Sequence, residues 1–129
     1  MKQVLVSFLL LLALTGLASA NPLKPVTDQD FDQTLAQTKA DFLLVLFTTP
    51  VCHTCKKVKK MLAENQFDQA EICTYDLDQS NKKASQLGVG FVPVLIIFQE
   101  QKESKRFFGP VSENQLRETL SQLAKGQQD

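Results

Sequence analysis

Two runs of consecutive apolar residues constrain the fold of this chain more than any other feature. The first occupies residues 42–47, and the second occupies residues 92–98 with Pro93 inside it. Runs of this length without polar alternation are typical of strands that are buried on both faces of a sheet. Segments with the apolar spacing of helices stand around them. The sequence therefore predicts an α/β fold in which helices cover both faces of a central β-sheet.

The predicted order of elements is helix, strand, helix, strand, helix, strand, strand, helix. The predicted bounds are 27–39, 42–47, 52–64, 71–77, 81–87, 92–98, 102–108 and 112–123. Gly88 ends the third helix, and Ser112 with Gln115 forms a capping box at the start of the last one. The strand at 102–108 is polar, which favours a place near an edge of the sheet. Pro22 and Pro25 predict only an extended segment before the first helix.

Length and charge exclude several classes of protein. The chain has 129 residues, with 14 Lys and Arg against 14 Asp and Glu, so it is long enough for one domain and carries no net charge. No basic field is present that would attract nucleic acid, so no nucleic-acid partner is expected. Three cysteines are too few for a small fold held together by disulfides, and an odd number leaves at least one thiol without an intramolecular partner.

The first twenty residues are typical of a secretory signal peptide. Lys2 is followed by an apolar stretch and by Ala18-Ser19-Ala20, a small-x-small ending that predicts cleavage after Ala20. The domain then occupies residues 21–129. The alternative is an uncleaved membrane anchor, for which the apolar stretch is shorter than the roughly 20 residues that a spanning helix needs. Export would place the protein where disulfides form and are exchanged, most simply in a bacterial periplasm.

A C-x-x-C motif, Cys52-His53-Thr54-Cys55, stands at the junction between the first buried strand and a helix. This spacing on a first helical turn lets the two sulfurs form a disulfide, and the helix N-terminus favours the thiolate of Cys52. We expect Cys52 to attack substrates and Cys55, one turn deeper, to resolve the mixed disulfide. Half of a zinc site and an inert structural disulfide remain as alternatives. Zinc needs four ligands, and only Cys73 and His53 are left to add, so no metal is predicted.

Pro93 is the second indicator of function. A proline inside a buried strand removes a hydrogen-bond donor, and it is tolerated at the first residue of the strand, especially as a cis peptide. The alternative is an ordinary trans proline where the strand begins.

With these residues together, the chain resembles the thioredoxin superfamily from Val26 to Leu123. The resemblance rests on the apolar strand before the C-x-x-C motif, the Gly-Val-x-x-Val-Pro approach to Pro93, Gly109 and the last helix. It implies a mixed sheet, a cis-proline loop beside the cysteines, and no cofactor. It also implies that the backbone of Val92 pairs with a bound substrate peptide. Thr54, between the cysteines, is assigned with Val92 to substrate binding.

The chain departs from thioredoxins at several positions of the motif region. Thioredoxins carry Trp-Cys-Gly-Pro-Cys, whereas this chain has Val51 before Cys52 and contains no tryptophan. Leu46 stands where they carry a buried Asp, and Thr74 stands where they carry a buried Lys. The proton-transfer partner of the resolving cysteine is therefore missing, so water or another group takes that role or the resolving step is slower.

His53 and Cys73 each admit two interpretations. An imidazolium at His53 would stabilise the Cys52 thiolate, and the alternative is a merely exposed side chain. Cys73 is predicted to be a buried structural thiol, with a regulatory or intermolecular disulfide as the alternative. Four lysines at positions 56, 57, 59 and 60 are interpreted as a solvated helix face, and the alternative is a patch that steers acidic partners. Phe107 and Phe108 are assigned to packing in the core and at its rim.

The sequence thus favours an exported thiol–disulfide oxidoreductase that exchanges the Cys52–Cys55 pair with protein substrates, with a preference for the reductase direction. The predicted partners are protein thiols and disulfides and a membrane-bound or soluble thiol electron donor, and the protein is expected to be a monomer. One alternative is a dithiol oxidase of the same fold. The other is a module of this fold that binds metal or docks a partner without catalysis.

Overall fold

The computed structural model describes residues 22–126, so the predicted signal peptide at 1–20 lies outside the described residues. The elements within this range are β1 (Leu23–Val26), α1 (Phe31–Gln37), β2 (Phe42–Thr48), α2 (His53–Glu64), β3 (Ala70–Asp76), α3 (Lys82–Gln86), β4 (Val94–Gln99), β5 (Lys102–Phe108) and α4 (Glu113–Gly126). None of the helices in residues 22–126 combines the length and the apolarity needed to cross a membrane.

The five strands form one mixed sheet in the order β1-β3-β2-β4-β5. Strands β1, β3 and β2 run parallel, and β4 and β5 pair antiparallel to their neighbours. The polar strand β5 lies at an edge, as its composition predicts. The predicted α/β fold, with a mixed sheet flanked by helices, is confirmed.

Strand β1 was not among the predicted elements, because two prolines in a short segment indicated only extended chain. In the structure Leu23 to Val26 pair with Ile72 to Tyr75 of β3, at the free edge of the sheet. An edge strand needs donors on one side only, so it accepts the proline at position 25. Short parallel edge strands of this kind lack the long apolar run that identifies a buried strand.

Buried side chains form two layers, one on each face of the sheet. The face covered by α1 and α3 contains Val26, Phe31, Leu43, Val45, Phe47, Cys73, Tyr75, Ala84, Val89, Val94, Ile96 and Phe98. The face covered by α2 and α4 contains Phe42, Leu44, Leu46, Val58, Leu62, Phe67, Ile72, Leu95, Ile97, Val111, Leu116 and Leu120. Strand β2 alternates between the two layers, which explains its unbroken apolar run.

Two elements begin later than the sequence predicts. Helix α1 starts at Phe31 rather than near Thr27, because Thr27 to Asp30 form a turn in which the Thr27 N–H donates to the Asp30 carboxylate at 2.6 Å. Strand β4 starts at Val94 rather than at Val92, because Pro93 has no N–H to donate to a neighbouring strand.

The predicted signals that end α3 and begin α4 are present. Gly88 has a φ of +72°, and its N–H donates to Ser85 while the N–H of Val89 donates to Ala84. This is a Schellman motif, which needs a residue that tolerates positive φ. At the start of α4, Ser112 and Gln115 exchange reciprocal side-chain hydrogen bonds at 3.0 and 3.2 Å.

A long-range contact connects the turn before α1 to the start of α3. The Asp28 carboxylate accepts hydrogen bonds from the Tyr75 hydroxyl at 2.5 Å and from the backbone N–H groups of Lys83 and Lys82 at 2.9 and 3.1 Å. Asp28 thus caps a helix that begins more than fifty residues later, where Asn81 forms no side-chain cap of its own. This places α3, and the loop that follows it, firmly against the sheet.

Candidate active site around Cys52 and Cys55

The residues that the sequence singled out lie at one end of the sheet, where the parallel strands reach their carboxyl ends. The parallel strand β2 ends there at Thr48, four residues before Cys52. The antiparallel strand β4 begins at the same edge, where Val94 pairs with Phe47 of β2 and with Phe108 at the end of β5. Loops at the carboxyl ends of parallel strands are a common place for binding sites. The fold therefore brings the C-x-x-C motif and the proline loop to the same end of the sheet.

Cys52 is the N-cap residue of α2, and Cys55 lies in the first turn of that helix. The two are joined by a disulfide, with their Cα atoms 5.2 Å apart. The Cys52 sulfur accepts a hydrogen bond from the backbone N–H of Cys55 at 3.1 Å. Cys55 is only 1% exposed, whereas Cys52 is half-buried at the rim. The sulfur at the rim thus receives the stabilisation that a helix N-terminus gives to negative charge.

The two residues between the cysteines differ in exposure. His53 is the first residue of α2 and is exposed, and Thr54 is half-buried. His53 lies directly after Cys52 in the chain. No hydrogen bond of either side chain is formed within residues 22–126, so both are available to a bound substrate.

The Val92–Pro93 loop lies at the same end of the sheet, directly before the start of β4. The peptide bond between these residues is cis, and the Pro93 carbonyl accepts a hydrogen bond from the Gly109 N–H at 2.9 Å. Gly109 has a φ of +79°, a conformation that favours glycine. Val92 packs partly on the core, and its backbone makes no hydrogen bond within the described residues. Its free N–H and carbonyl are what an added strand would use.

Sequence comparison agrees with this arrangement. The sequence model of the thioredoxin family matches residues 22–122. The chain belongs to the thioredoxin family. It is therefore a redox protein of that family with a cysteine pair at the expected place.

Individual relatives support the assignment. Thioredoxin 1 of Synechococcus elongatus is 30% identical over 98 residues, which cover 74% of this chain and 91% of that protein. The thioredoxin of Alicyclobacillus acidocaldarius is 27% identical over 101 residues, covering 76% of this chain and 94% of that protein. Among solved structures, the N21Q mutant thioredoxin from Halobacterium salinarum has a TM-score of 0.66 and 26% identity, over 81% of this chain and 92% of the other.

Leu46 and Thr74, the two positions that were expected to differ from thioredoxins, are neighbours in the sheet. Leu46 of β2 pairs with Thr74 of β3, and Leu46 is fully buried on the face covered by α2. A cleft of about 350 Å³ opens beside Thr74, and its lining also includes Asp76 and Lys59. Water in this cleft can reach Thr74, whereas the side chain at position 46 carries no proton to exchange.

Cys73 lies apart from the active cysteines. It is fully buried in the middle of β3 and forms no disulfide. Burial, and then the nearby Glu71 carboxylate, raise the pKa of the Cys73 thiol to about 11. Within residues 22–126, no three His, Cys, Asp or Glu side chains are grouped so that they could hold a metal ion.

The four lysines that follow the motif on α2 are all exposed. Lys60 forms an exposed contact with Glu64 at 3.9 Å, and Lys56 and Lys59 line the cleft. Ion pairs with this exposure contribute little to stability.

Sequence reasoning missed the contact between two aromatic residues, Phe91 and Phe108, at this end of the sheet. Phe107 packs against the core as expected, but Phe108 is exposed and its ring contacts that of Phe91. The strand alternation of 107 and 108 next to Gly109 was the available signal for Phe108. For Phe91 the signal was a large apolar residue in an otherwise small loop before Pro93.

Proposed function

We propose that this protein is an exported thiol–disulfide oxidoreductase that exchanges its Cys52–Cys55 pair with disulfides of protein substrates, working as a reductase. One observation carries the proposal. Cys52 stands at the rim as the N-cap of α2 and its sulfur accepts the Cys55 N–H, while Cys55 is buried one turn further on. An accessible, stabilised sulfur next to a protected one is the arrangement that thiol–disulfide exchange requires.

The reaction proceeds in two exchanges. In the dithiol form, the Cys52 thiolate attacks one sulfur of a substrate disulfide, the substrate S–S bond breaks, and one substrate thiolate leaves. Cys55 then loses its proton and attacks the Cys52 sulfur, which releases the second substrate thiolate and forms the Cys52–Cys55 disulfide. Two electrons pass to the substrate. An external thiol donor reduces the pair again.

The Val92 loop holds the substrate during the first exchange. A substrate segment pairing with the free backbone groups of Val92 would lie along the same sheet edge as Cys52. Thr54, half-buried on the first turn of α2 between the two cysteines, is the second residue that we assign to substrate binding.

The second exchange needs a base for the Cys55 proton, and Leu46 cannot supply one. Water or another group then takes this proton in place of a buried carboxylate, or the resolving step is slower.

The trapping of mixed disulfides tests the division of labour. Cys55→Ser is expected to accumulate a covalent complex with a disulfide-containing protein, because the attack by Cys52 remains while the release step is lost. Cys52→Ser is the matched control and should trap nothing. If the Cys52→Ser protein instead forms a mixed disulfide through Cys55, the assigned roles of the two cysteines are reversed.

The direction of exchange has a second candidate, an oxidase. The observation that favours it is the exposed His53 beside Cys52, since a cation there stabilises the reduced form and makes the disulfide a stronger oxidant. The equilibrium of the Cys52–Cys55 pair with glutathione decides between the two. A potential near the roughly −270 mV of thioredoxin supports a reductase, and one near the roughly −120 mV of a strong periplasmic oxidant supports an oxidase.

Export rests on the pattern of residues 1–20. Expression of the full chain in a bacterium, followed by fractionation and N-terminal sequencing, should give a periplasmic protein that begins at Asn21. A cytoplasmic protein that still begins at Met1 would contradict this part of the proposal.

A further inference from the structure

The cleft of about 350 Å³ that contains Thr74 is a second concave site, separate from the place where substrate exchange is proposed. Its walls are formed by the last residues of three parallel strands, Val26 of β1, Thr48 of β2 and Asp76 of β3, and by one side of α2. Neither cysteine and no residue of the Val92–Pro93 loop lines it. The disulfide exchange therefore leaves this cleft without a role.

The topology of the sheet favours a binding site at this position. Strands β2 and β3 are parallel neighbours, but β2 continues into α2 on one face of the sheet and β3 continues into α3 on the other. Where two such connections diverge, a crevice is left between them, and α/β sheets commonly bind ligands there. The volume of the cleft also lies within the roughly 300–1,000 Å³ of small-molecule sites.

Charged groups line the cleft without neutralising one another. Lys56 and Lys59 are exposed and form no ion pair within residues 22–126. One carboxylate oxygen of Asp76 accepts a hydrogen bond from the Asp78 N–H at 2.8 Å, and within the same residues its other oxygen accepts none. Two positive charges and one negative charge are thus available to a ligand.

Hydroxyl groups add hydrogen-bonding capacity between these charges. Thr49 and Thr74 are half-buried in the lining, and neither hydroxyl has a hydrogen-bond partner among the described residues. Pro25, Val26 and Pro50 supply the apolar part of the walls. A cleft in which a few polar groups converge within apolar walls is typical of sites that fix the orientation of a small molecule.

This set of groups selects one chemical class of ligand. Two ammonium groups complement two carboxylates, and a carboxylate with a free oxygen complements an amino group. We propose that the cleft binds a small zwitterionic dicarboxylate, an amino acid or short peptide with two carboxylates and one free amino group. Lys56 and Lys59 hold the carboxylates, and Asp76 holds the amino group. The proposal goes beyond the proposed function, since it assigns a site that takes no part in disulfide exchange.

The dipeptide Glu-Gly is a suitable probe, because it carries two carboxylates and one amino group. In an NMR titration of the disulfide form, Glu-Gly should shift the backbone amide signals of residues 48–49 and 74–79 and leave that of Phe108 in place. Gln-Gly lacks one carboxylate and N-acetyl-Glu-Gly lacks the amino group. Each should bind about fivefold more weakly, as expected for the loss of one partly exposed ion pair.

Two double variants test the lysines. Lys56→Gln with Lys59→Gln should weaken the binding of Glu-Gly by about tenfold, because both carboxylates lose their partners. Lys57→Gln with Lys60→Gln is the matched control, since it removes the same charge from the same helix at residues that do not line the cleft. All four side chains are exposed, and the NMR spectra also report whether each variant is folded.

Several outcomes would overturn the proposal. Equal weakening in the two double variants would assign the binding to the general charge of α2. Inorganic phosphate that competes as well as Glu-Gly would show attraction to charge alone. Amide shifts confined to other parts of the molecule, or no shift at all, would show that the cleft does not bind this class. A protein that binds Glu-Gly but does not reduce disulfides would contradict only the proposed function.

Discussion

The two buried cysteines, Cys55 and Cys73, have nearly the same exposure, 1% and 0%, and very different surroundings. Cys55 lies in the first turn of α2 and is bonded to a sulfur at the rim of the sheet. Cys73 lies in the central part of β3, between Lys24 of β1 and Val45 of β2. Burial alone therefore does not distinguish a reactive cysteine from an inert one.

The difference lies in what each sulfur can reach. Cys55 has a partner, Cys52, that connects it to solvent and that receives an N–H from the helix start. Cys73 has no such partner within the described residues, and its pKa of about 11 keeps it as a neutral thiol. The comparison teaches that position relative to a helix start and a strand end, rather than depth, makes a thiol useful in this fold.

Removal of each sulfur in turn gives the largest expected effect. Cys52→Ser should lower the rate of exchange with a disulfide-containing protein by roughly a thousandfold or more, as is seen when a covalent nucleophile is lost. Cys73→Ala should leave that rate unchanged, because Cys73 lies away from the site. A large loss of rate in the Cys73→Ala protein, with its fold intact by circular dichroism, would end the distinction between the two regions.

Alkylation of the dithiol form sharpens the same distinction. With a pKa of about 11, only about one part in a thousand of Cys73 is ionised at pH 8. Iodoacetamide should therefore modify Cys52 first and Cys73 only after denaturant is added, as mass spectrometry of the peptides would show. Equal rates at Cys73 and Cys52 in the native protein would contradict the burial of Cys73 in β3.

A change that weakens the packing near Cys73 should affect the surroundings of Cys73 and leave the Cys52–Cys55 pair unchanged. Asp28→Asn keeps one acceptor oxygen but removes the charge and the second oxygen, which weakens the hydrogen bonds to Tyr75 and to the start of α3 by about 1 kcal/mol. The free energy of unfolding should fall by that amount and Cys73 should become easier to alkylate. The reduction potential of Cys52–Cys55 should stay the same, and a shift in that potential would show that the two regions are coupled.

The pH dependence of this effect has a definite sign. Burial raises the pKa of Asp28, but the hydrogen bonds from the Tyr75 hydroxyl and the N–H groups of Lys83 and Lys82 outweigh it, so the net pKa lies below its usual value. The contribution of Asp28 is present above about pH 3.9, the ordinary Asp value, and is lost as pH falls through the lower folded-state pKa. The stability difference between wild type and Asp28→Asn should therefore shrink in acid, as urea denaturation at several pH values would measure.

The smallest expected effect concerns His53. Replacing His53 by Gln removes an imidazole that, when it carries a proton, stabilises the Cys52 thiolate and thus the reduced form. The reduction potential should become more negative by roughly 10–20 mV, the equivalent of about 0.5–1 kcal/mol. Equilibrium with glutathione measures it, and Lys57→Gln, an exposed charge further along α2, is the matched control. An equal shift in both variants would assign the effect to the general charge of α2.

Much of the sheet was readable from the sequence because its central strands are marked by composition. The runs at 42–47 and 92–98 are apolar throughout, which is typical of strands covered on both faces. Strand β1 carries no such mark, since it is four residues long with a proline in it. The start of α1 was misplaced because the Thr27 and Asp30 pattern serves a turn as readily as a helix cap.

The site could be predicted where residues close together in sequence carry the chemistry, and could not be predicted where a contact joins residues far apart in sequence. The C-x-x-C motif fixes Cys52 and Cys55 through local spacing alone. The Phe91–Phe108 contact depends on the pairing of β4 with β5, which no local pattern contains. The same holds for Asp28 and α3, which are more than fifty residues apart in the chain.

The direction of β1 determines how the molecule can be tethered. Leu23 pairs with Ile72, and β1 then runs parallel to β3 toward the edge that holds the cysteines. Residue 22 therefore lies at the opposite end of β1 from the cysteines. The four-residue rise along β3 from Ile72, opposite Leu23, to Asp76, opposite Thr48, already amounts to roughly 13 Å. The point at which a tag or tether would be joined, residue 22, therefore lies at the end of β1 opposite to Cys52, so an attachment made there starts away from the redox pair.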